Sequence, residues 1–131
     1  MSARDPDFLT VEDVLLLHEE QLAEFGGGAG IRDLGALHSA TAMPQATFDG
    51  RFVHGDAFFM AAAYAFHIAQ GHPFLDGNKR TGLAAALVFL DLNGIEVADP
   101  EGRLYGAILA VAEGRLKKAE LAALLRELAG G

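Results

Sequence analysis

The segment DAFFMAAAYAFHIAQGHPFLDGNKRTGLAAALVFLDLNG, residues 56–94, decides how this chain folds. Its two outer stretches are apolar, alanine-rich and helix-sized. Asp56 reads as the N-cap of a helix running to Gln70, with Gly71 as its stop. A second helix opens near Asn78 or Lys79 and runs to about Asn93, closed by Gly94. Between them lies HPFLDGN, polar and glycine-containing, which must be a loop.

Outward from this hairpin, punctuation by Gly and Pro cuts the rest into similar lengths. Thr10, with Asp13 three residues on, is close to a capping box for a helix over Val11–Phe25. On it Val11, Val14, Leu15, His18, Leu22 and Phe25 share one face. The run Gly26–Gly30 ends that helix, and another starts at Asp33 and stops before Pro44. Residues 44–55 have no clear period and read as a loop or small hairpin. Asp99-Pro100 has the form of an N-cap and first helical residue, and Lys117–Ala129 carries a leucine stripe. Strand signals are weak, with candidates at Ile95–Val97 and within residues 47–53. The expectation is a single all-α domain over residues 1–131: a compact bundle of six or seven helices with at most a small hairpin or flap.

Composition bounds the function. The 131 residues hold 18 acids against 10 Lys plus Arg, a net charge of -8. Such a chain is repelled by phosphate backbones and anionic lipid, which argues against direct nucleic-acid or membrane binding. No Cys is present, so disulfide frameworks, cysteine zinc sites and thiol nucleophiles are excluded. The apolar fraction of 51% owes much to 24 alanines. Its longest run, Ala57–Ala69, is too short to span a bilayer, which takes about 20 residues. The polar, acidic N-terminus lacks the form of a signal peptide. Together these point to a soluble cytoplasmic protein.

The chemistry concentrates in HPFLDGNKRTG, His72–Gly82. A helix beginning at about Asn78 presents free N–H groups and the positive end of its dipole, which is an anion site. Gly77 lets backbone approach a phosphate closely. Lys79 and Arg80 add positive charge where a helix dipole disfavours it, a cost that makes sense beside a bound anion. Asp76 is a hard oxygen ligand suited to Mg²⁺, and His72 a base able to take a hydroxyl proton. Phe74 and Pro73 pin the loop to the core, and Thr81 suits local capping or a phosphate equally. The set matches the parts needed for phosphoryl or nucleotidyl transfer.

This stretch resembles the signature of the Fic/Doc superfamily, H-P-F-x-(D/E)-G-N-G-R-x-x-R in its Fic branch. The LLLH helix, GGGAGIRDLGAL, PQATF and LVFLDLNGIEV resemble the Doc (death-on-curing) toxins, so the likeness covers roughly residues 8–128. Two positions depart from the Fic form: Lys79 stands where AMP-transferring enzymes have Gly, and Leu83 where they have a second Arg. The resemblance implies that Lys79 fills space used by the phosphates in AMP transfer, so that ATP lies reversed with its γ-phosphate toward the target. It thus implies a kinase that arrests translation by phosphorylating a threonine of elongation factor Tu. His72 would be the general base and Asp76 the Mg²⁺ ligand. Asn78, Lys79 and Arg80 would hold the ATP phosphates, with Gly77 as the anion hole. No S/T-x-x-x-E-G/N self-inhibitory motif is present, so the resemblance implies inhibition by a separate Phd-like antitoxin. The alternatives are an AMP transferase and a catalytically silent partner-binding module.

Other candidates carry less. His18 and His67 read as hydrogen-bonded core residues, and His38 and His54 as surface residues. Phe58, Phe59, Phe66 and Phe89 read as core. Residues 44–54 suit a target-docking flap and an ordinary connecting loop equally.

Overall fold

A computed structural model describes residues 5–130. Its elements follow the chain as α1 (Val11–Phe25), α2 (Leu34–Ala42), a 3₁₀ turn (Met43–Gln45), β1 (Thr47–Phe48), β2 (Arg51–Phe52), α3 (Ala57–Gly71), α4 (Asn78–Leu92), α5 (Arg103–Ala112) and α6 (Lys118–Leu128). The strands form one antiparallel hairpin, with Thr47 opposite Phe52 and Phe48 opposite Arg51. The all-α expectation holds, and the irregular stretch before α3 contains the small hairpin.

The middle of the fold is α3. Met60 through Ala65, Ile68 and Ala69 are all buried, because alanine lets neighbouring helices pack on several sides of one rod. Helices α2, α4, α5 and α6 all pack against it. The closest crossing is with α4 at Gly82, where an added Cβ would stand 2.9 Å from the Ala65 carbonyl oxygen. That glycine lets α3 and α4 converge, and so fixes the loop joining them. Tyr64 packs against Phe89 of α4, and its hydroxyl accepts a hydrogen bond from the Leu9 N–H at 2.9 Å. Burial penalises the phenolate and pushes the Tyr64 pKa up to about 12.

Several expectations change. Helix α3 runs through Gly71, and the left-handed residue ending it is His72 (φ 49°) rather than a glycine. Helix α5 starts at Arg103, not at Asp99-Pro100; Gly102 (φ 68°) turns the chain, and Asp99 instead accepts from the Arg103 and Leu104 N–H groups. Ile95–Val97 forms no strand, having no partner to extend toward. His54, expected at the surface, is buried under α6, where Lys118 Nζ lies 3.1 Å from its Nε2. Phe25, expected on the apolar face of α1, is 51% exposed. Of the phenylalanines expected in the core, Phe89 is fully buried, whereas Phe58, Phe59 and Phe66 are partly so.

Candidate active site

Residues 72–77 cross from the end of α3 to the start of α4 as a loop held from several sides. Phe74 is buried and its ring stacks on His18 of α1, with centroids 3.7 Å apart and planes within 5°. His18 Nε2 donates to the Asp76 carbonyl oxygen at 2.8 Å, which fixes its tautomer as Nε2–H. His18 is thus the hydrogen-bonded core histidine expected from its place on α1, and its partner is the loop itself.

The glycine-rich segment after α1 holds the other flank. The Arg32 and Asp33 N–H groups donate to the Pro73 carbonyl, and the Leu75 N–H to that of Gly30. Arg32 also donates from Nε to the His72 carbonyl at 2.6 Å and from its guanidinium to the Gly71 carbonyl at 2.9 Å. It thereby caps the C-terminus of α3 with positive charge. A left-handed backbone at a residue bearing a Cβ costs on the order of 1 kcal/mol, and these bonds hold it in place. A side chain at Gly27 would put its Cβ 2.8 Å from Asp76 Oδ2, so the approach of this segment requires glycine there.

Asn78 clamps the loop from inside. Its Oδ1 accepts from the Phe74 N–H at 3.0 Å and its Nδ2 donates to the Phe74 carbonyl at 2.9 Å. The same Nδ2 lies 3.4 Å from His72 Nδ1, too far to fix the imidazole tautomer. His72 is exposed at the rim of a cleft of about 500 Å³, lined also by Phe25, Gly26, Gly27, Leu75, Asp76, Gly77, Asn78, Lys79, Arg80 and Tyr105. His72, Asp76, Gly77, Asn78, Lys79 and Arg80 therefore meet in one cleft.

The electrostatics of that cleft follow from the start of α4. Gly77 (φ 78°) precedes the helix and offers no side-chain cap, and the Asn78, Lys79 and Arg80 N–H groups have no acceptor among the described residues. Asp76 does not cap the helix: its Oδ1 accepts from the Gly77 N–H and its Oδ2 from the Gly28 N–H. Its carboxylate remains exposed, with lone pairs to spare. Lys79 is exposed, and neither Lys79 nor Arg80 pairs with a carboxylate among the described residues. Thr81 is fully buried with an unpartnered hydroxyl, so it does not face the cleft.

Sequence reasoning missed Arg32, Gly27, Phe25 and Tyr105. The arginine-after-glycine run was visible, but nothing local said that it would cap α3. A second polar cluster, which no local sequence signal marks, lies under α6. Lys118 Nζ sits 3.1 Å from His54 Nε2 and 3.0 Å from His67 Nε2. Burial, followed by the nearby Lys118 charge, lowers the His54 pKa and brings that of His67 down to about 4. Both rings therefore accept from the ammonium. No group of three or more metal-ligating side chains forms among the described residues, and no described helix is long and apolar enough to cross a membrane.

Comparison with known proteins identifies the family. Residues 8–90 match the model of the Fic/DOC family. Toxin Doc of Mycolicibacterium smegmatis is 41% identical over 92 residues, covering 70% of this chain and 68% of that protein. Protein kinase doc of Escherichia phage P1 is 34% identical over 123 residues, covering 93% of this chain and 95% of its own length.

Proposed function

Because this chain belongs to the Fic/DOC family, we propose that it is the toxin of a toxin–antitoxin pair, a kinase that moves the γ-phosphate of ATP to a protein hydroxyl. One observation carries the reading. The N-terminus of α4 has its N–H groups unspent and two uncompensated cations, and it opens beside an exposed imidazole. Those N–H groups with Lys79 and Arg80 suit a polyphosphate. The Asn78 amide is engaged within the loop, so its share in holding phosphate falls to its backbone N–H. Gly77 lets the phosphate approach the backbone.

His72 takes the proton of the target hydroxyl as its oxygen bonds the γ-phosphorus, while the bond from that phosphorus to the bridging oxygen breaks and ADP leaves. Asp76, exposed and oxygen-donating, suits Mg²⁺, which when bound offsets phosphate charge. Leu83 packs against the core and brings no charge to the site where an AMP transferase carries its second Arg. Lys79 and Leu83 together favour γ- over α-phosphate transfer. By the same resemblance the target is a threonine of elongation factor Tu, the inhibitor a Phd-like antitoxin, and the place of action the cytoplasm.

The test is label transfer. With Mg²⁺, elongation factor Tu and γ-labelled ATP, label reaches the factor, and His72→Ala lowers the rate at least about 100-fold without altering the melting temperature. Transfer of α-label instead would make the protein an AMP transferase. No transfer of either label by a folded protein would leave the partner-binding reading.

A further inference from the structure

Arg80 is held in an unusual way for a cation in so acidic a chain. Its guanidinium carbon lies 3.8 Å from the ring centroid of Phe25, the last residue of α1, and 5.0 Å from that of Tyr105 in α5. The rings come from distant parts of the sequence, are 51% and 44% exposed, and line the same cleft as His72. No carboxylate among the described residues reaches Arg80, whereas Arg103, Arg115 and Arg126 are bonded to Glu127, Glu113 and Asp56.

We propose that Phe25 and Tyr105 are positioning residues that hold the Arg80 guanidinium by cation–π contact and leave its charge free for phosphate. The physical reason is a conflict between two needs. A long side chain must be restrained before it can bind an anion tightly, because each rotamer lost on binding weakens affinity. A carboxylate would restrain it, but would also cancel the charge that the phosphate needs. An aromatic face attracts a guanidinium through its quadrupole, carries no net charge, and suits the planar, weakly hydrated head of arginine. This also gives Phe25 a reason to stay at the surface, where the helix pattern alone would have turned it inward.

The proposal rests on the reading of α4 as a phosphate site, and calorimetry on the full chain separates the two. Binding of Mg²⁺-ATP and of inorganic tripolyphosphate is measured for the wild type, Arg80→Ala, Phe25→Leu, Phe25→Tyr, Tyr105→Leu and Tyr105→Phe, with melting curves confirming folding. Each leucine variant should weaken both ligands by about threefold to fivefold, and each aromatic replacement should restore them. In the Arg80→Ala background, Phe25→Leu should have no further effect. If Arg80→Ala binds normally, the phosphate site itself is wrong. If Arg80→Ala binds weakly but both leucine variants bind normally, the aromatic shelf is wrong and the phosphate site stands. If the leucine variants lose ATP but keep tripolyphosphate, the rings serve the nucleobase and not Arg80, which also overturns the proposal.

Discussion

The start of α1 and the start of α4 solve the same problem in opposite ways. Both begin with unpaired N–H groups and a partial positive charge. At α1, Thr10 accepts from the Asp13 N–H and Asp13 accepts from that of Thr10, with Glu12 and Asp13 in the first turn. At α4 the preceding residue is Gly77, the first turn holds Lys79 and Arg80, and no side chain caps it. The other helices follow α1: Asp33, Asp56, Asp99 and Glu120 each bring a carboxylate to a helix start. With 18 acids in the chain, α4 lacks one through placement rather than shortage. The difference teaches that α4 leaves its first turn open, as the proposed phosphate site requires, whereas α1 is complete in itself.

That contrast can be broken or sharpened experimentally. The largest effect is expected from Arg80→Ala, which removes one of the two side-chain cations at α4. ATP affinity and turnover should fall by about 10- to 100-fold. Arg103→Ala, which disrupts a surface pair with Glu127 and lies away from the cleft, should change ATP affinity less than twofold. Equal losses in titration calorimetry would abolish the distinction between the two regions.

A smaller and more telling effect comes from making α4 resemble α1. Lys79→Glu places a carboxylate in its first turn, so stability should rise by about 0.3–1 kcal/mol as the dipole is satisfied. ATP affinity should fall about tenfold or more in the same variant. The mirror experiment is Thr10→Ala, which should cost about 1 kcal/mol and leave ATP affinity unchanged. Denaturant melts and calorimetry on both variants check the opposite signs. A Lys79→Glu protein that binds ATP normally would mean that α4 is no anion site.

The smallest effect concerns the other cationic cluster, where Lys118 is satisfied by His54 and His67 and needs no external partner. His67 takes its proton near pH 4 in the folded chain and near 6.5 when unfolded. Between those values the unfolded state holds more protons, so stability is complete above pH 6.5 and is lost as pH falls toward 4. Discounted for partial exposure, the melting temperature should drop by roughly 4 °C between pH 6.5 and 5. His67→Gln should flatten that slope in scanning calorimetry, and an unchanged slope would place the titration elsewhere.

Much of the fold and of the candidate loop is legible in the sequence. Thr10, Asp33 and Asp56 marked helix starts because capping acts within three residues. The candidate loop is legible because its parts are contiguous, so one run of residues carries imidazole, carboxylate and cations together. The burial of His54 is not legible because it depends on α6, whose Lys118 lies 64 residues further along the chain. Asp99-Pro100 has the right local form for a helix start, and only Gly102 with its left-handed turn moves the start of α5 to Arg103.

By itself, then, the sequence determined the helices, the loop between α3 and α4, and the identity of the groups that loop presents. Those properties follow from propensity, capping and residue type, all of which act over a few positions. Only the tertiary structure decided how the groups are held: His18 and Asn78 fix the loop from beneath, Arg32 secures the left-handed His72, and Phe25 and Tyr105 flank Arg80. These partners lie far from the loop in the chain or act through its folded path. They meet because α3 and α4 converge at Gly82, a packing event that no local pattern encodes.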